Sequence, residues 1–313
     1  MSFSSEVKKE LSAYQDSARH CRIAFLAALF HISPVLEETE AGLITENKYA
    51  AHAFESVLRK TFSGTVNAAQ QKQGRSVLYR TVLEGKEETE RFLAAVKMDR
   101  AGRDPAKIRE MALPSMLLQK TCCRKAFLRG VFLIAGSVSD PSKSYHFELS
   151  CAREEDASGL AALMESLGFG AKVSTRKNRF VVYLKEGEQI SDVLGAMGAT
   201  GSLMKLENAR ILRDIAGKIN RQVNFETANL MKTVDAALRE QEDIRYLQET
   251  VGLESLPRSL RSAAELRLAL PEASLQELAQ ASDPPVGRSG IHHRLKRLAE
   301  MADKLRMEKG EIR

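Results

Sequence analysis

The residues CRIAFLAALFHI at 21–32 can be laid on CRKAFLRGVFLI at 123–134, and this match decides the fold. Cysteine, arginine, alanine, two phenylalanines, a leucine and an isoleucine coincide. The segments downstream of the two copies are also alike. After the first come an extended piece at 42–46, a helix over 48–61, strands over 64–70 and 77–84, and a helix over 86–96. After the second come a strand over 145–151, a helix over 154–167, strands over 171–175 and 179–184, and a helix over 189–197. Two such series in one chain mean an internal duplication. Each half reads α-β-α-β-β-α, which predicts an α+β domain of two like units over 1–203.

The repeated helix is unusually apolar. Small residues fall near its middle, Ala27 and Ala28 in one copy and Gly130, beside Arg129, in the other. Such positions let two helix backbones approach closely, so the two copies are expected to pair about a pseudo-twofold axis. Arg22 and Arg124 occupy the same place in each copy, where capping the domain and facing DNA both remain open. The stretch MDRAGRDPAKIREMALP at 98–114 is dense in charge, with Gly and Pro, and reads as the linker between the halves, with a short helix at 105–112.

The far end of the chain has a different pattern, SLQELAQASDPPVGRSGIHHRLKRLAEMAD at 274–303. Ser274 and Glu277 have the spacing of a capping box, and Leu275, Leu278 and Ala279 give the next helix one apolar face. Asp283-Pro284-Pro285 ends it, because proline lacks an N–H and excludes the preceding residue from helical geometry. A second helix after Gly287 is predicted by Ile291, Leu295 and Leu298 on one stripe. Its other face carries Ser289, His292, His293, Lys296 and Arg297, with Arg288 and Arg294 beside them. From 286 to 298 there are four cationic side chains and no acid. That is the layout of a helix-turn-helix whose second helix enters a major groove, with Ser289, His292, His293, Lys296 and Arg297 in the groove and Arg288 and Arg294 on phosphates. A solvated basic face of a helical bundle fits the same pattern. Adjacent histidines also allow protonation near neutrality to add charge there.

The chain has 313 residues, room for two or three domains, and 47 Lys and Arg against 41 Asp and Glu, a net charge of +6. Basic runs free of acid recur at 119–131 (Lys120, Arg124, Lys125, Arg129) and 171–185 (Lys172, Arg176, Lys177, Arg179, Lys185). Several such runs favour a long polyanion over a small acidic ligand. No stretch is apolar enough to span a bilayer, and residues 1–10 are too polar for a signal peptide, so a cytoplasmic protein without a membrane partner is expected. Cys21, Cys122, Cys123 and Cys151 lack paired metal-ligand spacing. They read as small buried residues rather than as a zinc site with His20 or His146, so no metal and no cofactor are expected.

Between the two regions, 205–218 reads helical with Leu206, Ala209, Leu212 and Ala216 on one face. NRQVNFETANLMKT at 220–233 comes next, then an alanine-rich helix to about 248. Asn224 is expected to cap that helix. Asn220, Arg221, Asn229 and Lys232 are candidates for accessory contacts to phosphates or bases.

FLAALFHISPVL at 25–36 and FLRGVFLIAGSV at 127–138 resemble the signature helices of LAGLIDADG homing endonucleases. In that family the two helices pack together, and an acid at the foot of each holds divalent metal over DNA. The matching positions here are Ser33 and Ala135, which cannot be anionic ligands, so the resemblance implies the scaffold without cleavage. Asp140, Glu37 and Glu38 lie just beyond. The strand saddle that such enzymes lay along a duplex keeps Lys172, Arg176, Lys177 and Arg179 in the second half, but only Lys72, Arg75 and Arg80 in the first. DNA contact and a solvated hairpin both fit those residues.

Together with NRQVNFETANLMKT and the 256–302 stretch, the degenerate duplicated domain resembles the WhiA family, DNA-binding regulators of Gram-positive bacteria linked to sporulation, cell division and chromosome segregation. Gly287-Arg288-Ser289 stands where a Ser-Lys-Ser is more usual. The resemblance implies an α+β duplicated LAGLIDADG-like domain (1–203), a helical connector (204–252) and an all-α helix-turn-helix domain with a charged tail (253–313). It implies binding of double-stranded DNA at the nucleoid to regulate transcription, without enzymatic turnover and with no small-molecule substrate. A metal-dependent endonuclease using relocated acids, and a scaffold for a regulatory protein partner, are the alternatives.

Overall fold

A computed structural model describes residues 2–74, 76–99 and 104–310. The sequence readings at Arg75, at 100–103 of the linker and at 311–313 of the tail lie outside the described residues. The chain forms two compact units, Met1–Asp214 and Ile215–Arg313.

In the first unit, α1 (Phe3–Ala13) precedes two like series of elements. The first is α2 (Arg19–Ile32), β1 (Pro34–Leu36), β2 (Glu40–Thr45), α3 (Lys48–Thr61), β3 (Val66–Gln73), β4 (Ser76–Glu84) and α4 (Lys86–Val96). After α5 (Pro105–Glu110), the second is α6 (Thr121–Ala135), β5 (Gly136–Val138), β6 (Phe147–Cys151), α7 (Glu154–Glu165), β7 (Lys172–Arg176), β8 (Arg179–Leu184) and α8 (Gly187–Met197). The sheets have orders β1-β2-β4-β3 and β5-β6-β8-β7, antiparallel throughout and with the same topology. The duplication read from the sequence is therefore present in the fold. Each half carries one strand more than the sequence pattern indicates. β1 and β5 are three residues long, too short for a period-2 alternation to register.

The helices α2 and α6 are buried around most of their circumference, from Ala24 to His31 and from Ala126 to Leu133. A helix apolar on all sides is a core helix. The reason for their close approach is local: a Cβ at Gly130 would lie 2.8 Å from Ala28 Cβ and 2.8 Å from the Phe25 carbonyl oxygen. Around the pair, Phe30, Phe54 and Phe62 meet Phe92 edge-on in the first half, whereas Phe132 stacks on Phe147 at 5.2 Å in the second. Asn47 caps α3 with its carbonyl oxygen, and its amide donates to the Leu133 carbonyl at 2.7 Å, joining one half to the other.

Two basic residues expected on a polyanion-facing run are spent inside this unit. Arg129 is 3% exposed, pairs with Asp16 at 2.5 Å, donates to the Met197 carbonyl and lies over the Tyr14 ring. Arg124 donates to the carbonyls of Leu118 and Gln119, as Arg22 does to those of Asp16 and Ser17. Both arginines thus pin the chain that enters their helix. Arg124 and Arg129 of the run at 119–131 are accordingly structural, whereas Lys120 is exposed.

The helix α9 spans Thr200–Thr250 without interruption. Asn224 lies inside it and caps nothing, which corrects the sequence reading. The run from 220 to 233 contains neither Gly nor Pro, so nothing in it breaks the backbone ladder. The apolar face read at 205–218 begins as expected, with Leu206 1% exposed, but Leu212 is 68% exposed. After α9 come α10 (Arg258–Ala269), α11 (Leu275–Ala281) and α12 (Arg288–Glu308). Ile244 and Leu247 of α9 close a core with Leu256, Leu260, Leu278, Ile291, Leu295 and Leu298. Among the described residues, no helix is long and apolar enough to cross a membrane.

Gly130→Ala is expected to destabilise the first unit by about 1–3 kcal/mol, the usual range for overpacking a close-packed contact, as read by urea unfolding. Asp16→Ala, which strands the buried Arg129 charge, is expected to cost about 3–5 kcal/mol in the same measurement.

Candidate nucleic-acid interface

In the second unit the sequence reading of α11 and α12 is met at each predicted position. The capping box is formed: Ser274 Oγ accepts from the Glu277 N–H at 3.3 Å, and Glu277 accepts from the Ser274 N–H at 2.7 Å. The bond from the Ser274 N–H, with the Ser274 hydroxyl beside it, holds the Glu277 carboxyl below its ordinary range. Asp283-Pro284-Pro285 separates α11 from α12, the Asp283-Pro284 bond being cis. Ile291, Leu295 and Leu298 are buried. Ser289, His292, His293, Lys296 and Arg297 are exposed on the opposite face, with Arg288 exposed beside them and Arg294 half-buried at the margin.

Charge on this face is poorly neutralised. Among the described residues, Arg288, Arg294 and Arg297 have no carboxylate partner within ion-pair distance, and Lys296 meets only Glu300, at 3.8 Å. No acidic residue lies in the first turn of α12, and its N-cap, Gly287, has no side chain to satisfy the leading N–H groups. A positively charged helix start with free donors suits phosphate oxygens. Two other basic residues of the unit are placed differently. Arg267 pairs with Glu240 at 2.8 Å and donates to the Ala273 carbonyl, and Arg306 pairs with Asp243 at 2.7 Å. These hold α9, α10 and α12 together. Asn220, Arg221, Asn229 and Lys232 are exposed side chains of α9.

In the first unit the saddle is uneven. Lys172, Arg176, Lys177 and Arg179 are exposed on the β7–β8 hairpin, but Arg176 meets Glu148 at 3.3 Å and Arg179 donates to Ser150 Oγ at 3.4 Å. In the first half Arg80 is held by Glu37 at 2.9 Å and by Glu40. These carboxylates come from β6, from β2 and from the turn that precedes β2, so a count of basic residues along one hairpin misses them. The same contacts bear on the relocated acids: Glu37 is committed to Arg80, and Asp140 accepts from the Ser142 N–H and hydroxyl.

The signature-helix feet do not fit a divalent metal. Ser33 Oγ donates to the Ile44 carbonyl at 2.6 Å, tying the end of α2 to β2, and the Ala135 side chain offers no ligand atom. A cleft lined by Lys8, Glu46, Asn47, Lys48, Gly136 and Ser137 opens beside the foot of α6. It presents a lysine: burial pushes the Lys8 ammonium down to about 8, and its Nζ lies 5.9 Å from the Phe132 ring centre.

Residues 219–302 match the family model described as the WhiA C-terminal HTH domain, and 124–216 that of the WhiA LAGLIDADG-like domain. A probable cell division protein WhiA from Lachnospira eligens is 43% identical over 99% of this chain and 99% of its own length. The chain belongs to the WhiA family. A second WhiA, from Lachnoclostridium phytofermentans, is 41% identical over 98% of this chain and all of its own. The full-length DUF199/WhiA crystal structure from T. maritima, 24% identical, covers 97% of this chain and 99% of its own with a TM-score of 0.60, so the fold is shared. The WhiA HTH match begins within α9, so Asn220, Arg221, Asn229 and Lys232 fall inside it.

One cysteine departs from the sequence reading. Cys21, Cys123 and Cys151 are buried, but Cys122 is exposed, at the start of a helix whose first turn faces outward there. Burial pushes the Cys21 thiol up to about 12 and raises that of Cys123.

Because the folded Lys8 value of about 8 lies below the ordinary 10.5, the unfolded chain binds more protons between those values, and this group's contribution to stability rises with pH through that window. Lys8→Met is therefore expected to stabilise the first unit at pH 7, with the gain over wild type shrinking as unfolding is repeated towards pH 10.5.

Proposed function

We propose that this WhiA-family chain binds double-stranded DNA through its C-terminal helix-turn-helix and regulates transcription in cell division, sporulation and chromosome segregation at the nucleoid. The observation that carries this reading is the N-terminal half of α12. Its buried stripe of Ile291, Leu295 and Leu298 leaves Ser289, His292, His293, Lys296 and Arg297 together on the exposed face. Side chains near the start of a recognition helix reach base edges, and Arg288 and Arg294 are assigned to the phosphates that flank them. The process is suggested by relatives called probable cell division proteins.

In this reading the duplicated domain (1–203) binds without turnover, since Ser33 and Ala135 supply no carboxylate. The connector (204–252) leads to the reading domain (253–313). Lys172, Arg176, Lys177 and Arg179 are secondary phosphate contacts, weakened where Glu148 competes for Arg176. Asn220, Arg221, Asn229 and Lys232 are accessory contacts of α9.

The test is a Lys296→Ala/Arg297→Ala double variant, titrated over a series of salt concentrations against a duplex recovered by genome-wide mapping of bound sites. Affinity is expected to fall at least about tenfold and the log–log salt slope to become shallower. Unchanged affinity and slope would remove Lys296 and Arg297 from the interface.

A further inference from the structure

The start of each signature helix carries an adjacent pair of metal-ligating residues, His20-Cys21 in α2 and Cys122-Cys123 in α6. The pairs are equivalent in the repeat, since Cys21 aligns with Cys123 and His20 with Cys122. They also hold the same places in their helices, the second and third residues of Arg19–Ile32 and of Thr121–Ala135. Pairing of α2 with α6 brings the two starts together. The one ring nitrogen His20 Nδ1 lies 3.2 Å from Cys123 Sγ, 3.3 Å from Cys21 Sγ and 4.0 Å from Cys122 Sγ, and the four ligand atoms all lie within 4.8 Å of one another.

We propose that His20, Cys21, Cys122 and Cys123 bind one zinc ion, which clamps the N-terminal ends of the two signature helices. Three sulfurs and one imidazole are a common set for structural zinc. With Zn–S about 2.3 Å and Zn–N about 2.0 Å, a tetrahedral ion spaces its ligand atoms about 3.5–3.8 Å apart, so the cluster needs only small side-chain adjustments. Among the described residues it is the single group of three or more His, Cys, Asp and Glu side chains with such geometry.

Three further features fit. Two ligand pairs related by a twofold supply a tetrahedron as naturally as two Cys-x-x-Cys turns do, although no linear motif exists because the pairs stand about a hundred residues apart. Neither helix has a side-chain N-cap, and three thiolates around Zn2+ leave one negative charge at the positive ends of both. The approach to each helix is already fixed, because Arg22 and Arg124 hold the preceding carbonyls. The site lies at the opposite end of the helices from Ser33 and Ala135, so it is separate from the place where homing endonucleases keep their metals. Its role is structural: metal joins the two halves where Gly130 and Ala28 join them by packing.

The experiment uses the full-length chain purified under reducing conditions. Elemental analysis is expected to give one zinc per chain after dialysis. The metal-free chain titrated with Co2+ is expected to show the thiolate-to-metal band and the visible bands of a tetrahedral site, saturating at one equivalent. Cys122→Ser and His20→Ala alter exposed residues and are each expected to weaken Co2+ uptake at least tenfold, whereas Cys151→Ser, outside the cluster, leaves it unchanged. A wild-type chain that neither retains zinc nor takes up one equivalent of Co2+ would overturn the proposal without reference to any variant. So would uptake unaltered in the Cys122→Ser/His20→Ala double variant.

Discussion

A methyl group at Gly130 would stand 2.8 Å from the Phe25 carbonyl oxygen, and the first unit is built on its absence. Because that position is bare, α2 and α6 pack backbone to backbone along buried faces rather than across a layer of large side chains. The pairing puts the two halves in equivalent surroundings. The sheets repeat one strand order, the arginines at the two helix starts repeat one hydrogen-bonding role, and the two adjacent ligand pairs meet. At the other end the same pairing brings Ser33 and Ala135, neither of which carries a carboxylate, to the feet of the two helices.

The basic residues divide by what surrounds them. Arg129, Arg267 and Arg306 are buried or nearly so, and each faces a carboxylate. Removing water from a guanidinium requires such a partner, and a packed core also needs its hydrogen bonds satisfied. Arg80 is drawn into the same role by Glu37 and Glu40 at the surface. The start of α12 is different. Its cations stand on an exposed face with one distant carboxylate, at a helix end whose dipole has the same sign. Like charge held together at a cost in self-repulsion is a feature that a polyanion relieves. Net charge alone does not distinguish these two populations; burial does.

The duplication is legible in the sequence because five of the seven identical aligned side chains are buried in both copies, where a shared core position dictates them. The second unit is legible for a related reason: a capping box, a Pro-Pro step and an apolar stripe at spacings of four and three are local signals, and local signals survive in one dimension. The features that escape such a reading are non-local or too short. β1 and β5 have three residues each, less than two periods of alternation. Asn224 reads as a cap in isolation, but a long run without Gly or Pro lets the helix continue through it. Arg129 reads as surface charge until Asp16 and Tyr14, from more than a hundred positions away, close over it. The cysteine and histidine pairs read as unrelated for the same reason, since only the pairing of α2 with α6 brings them within reach of one another.

Hydrogen–deuterium exchange on the full-length chain, with and without a saturating bound duplex, tests the central claim most directly, because it reports which backbone the DNA covers without altering any side chain. Protection should appear over residues 286–298, at the start of α12, and exceed any change on the β7–β8 hairpin. Protection confined to that hairpin, with α12 exchanging as it does in the free chain, would contradict the account.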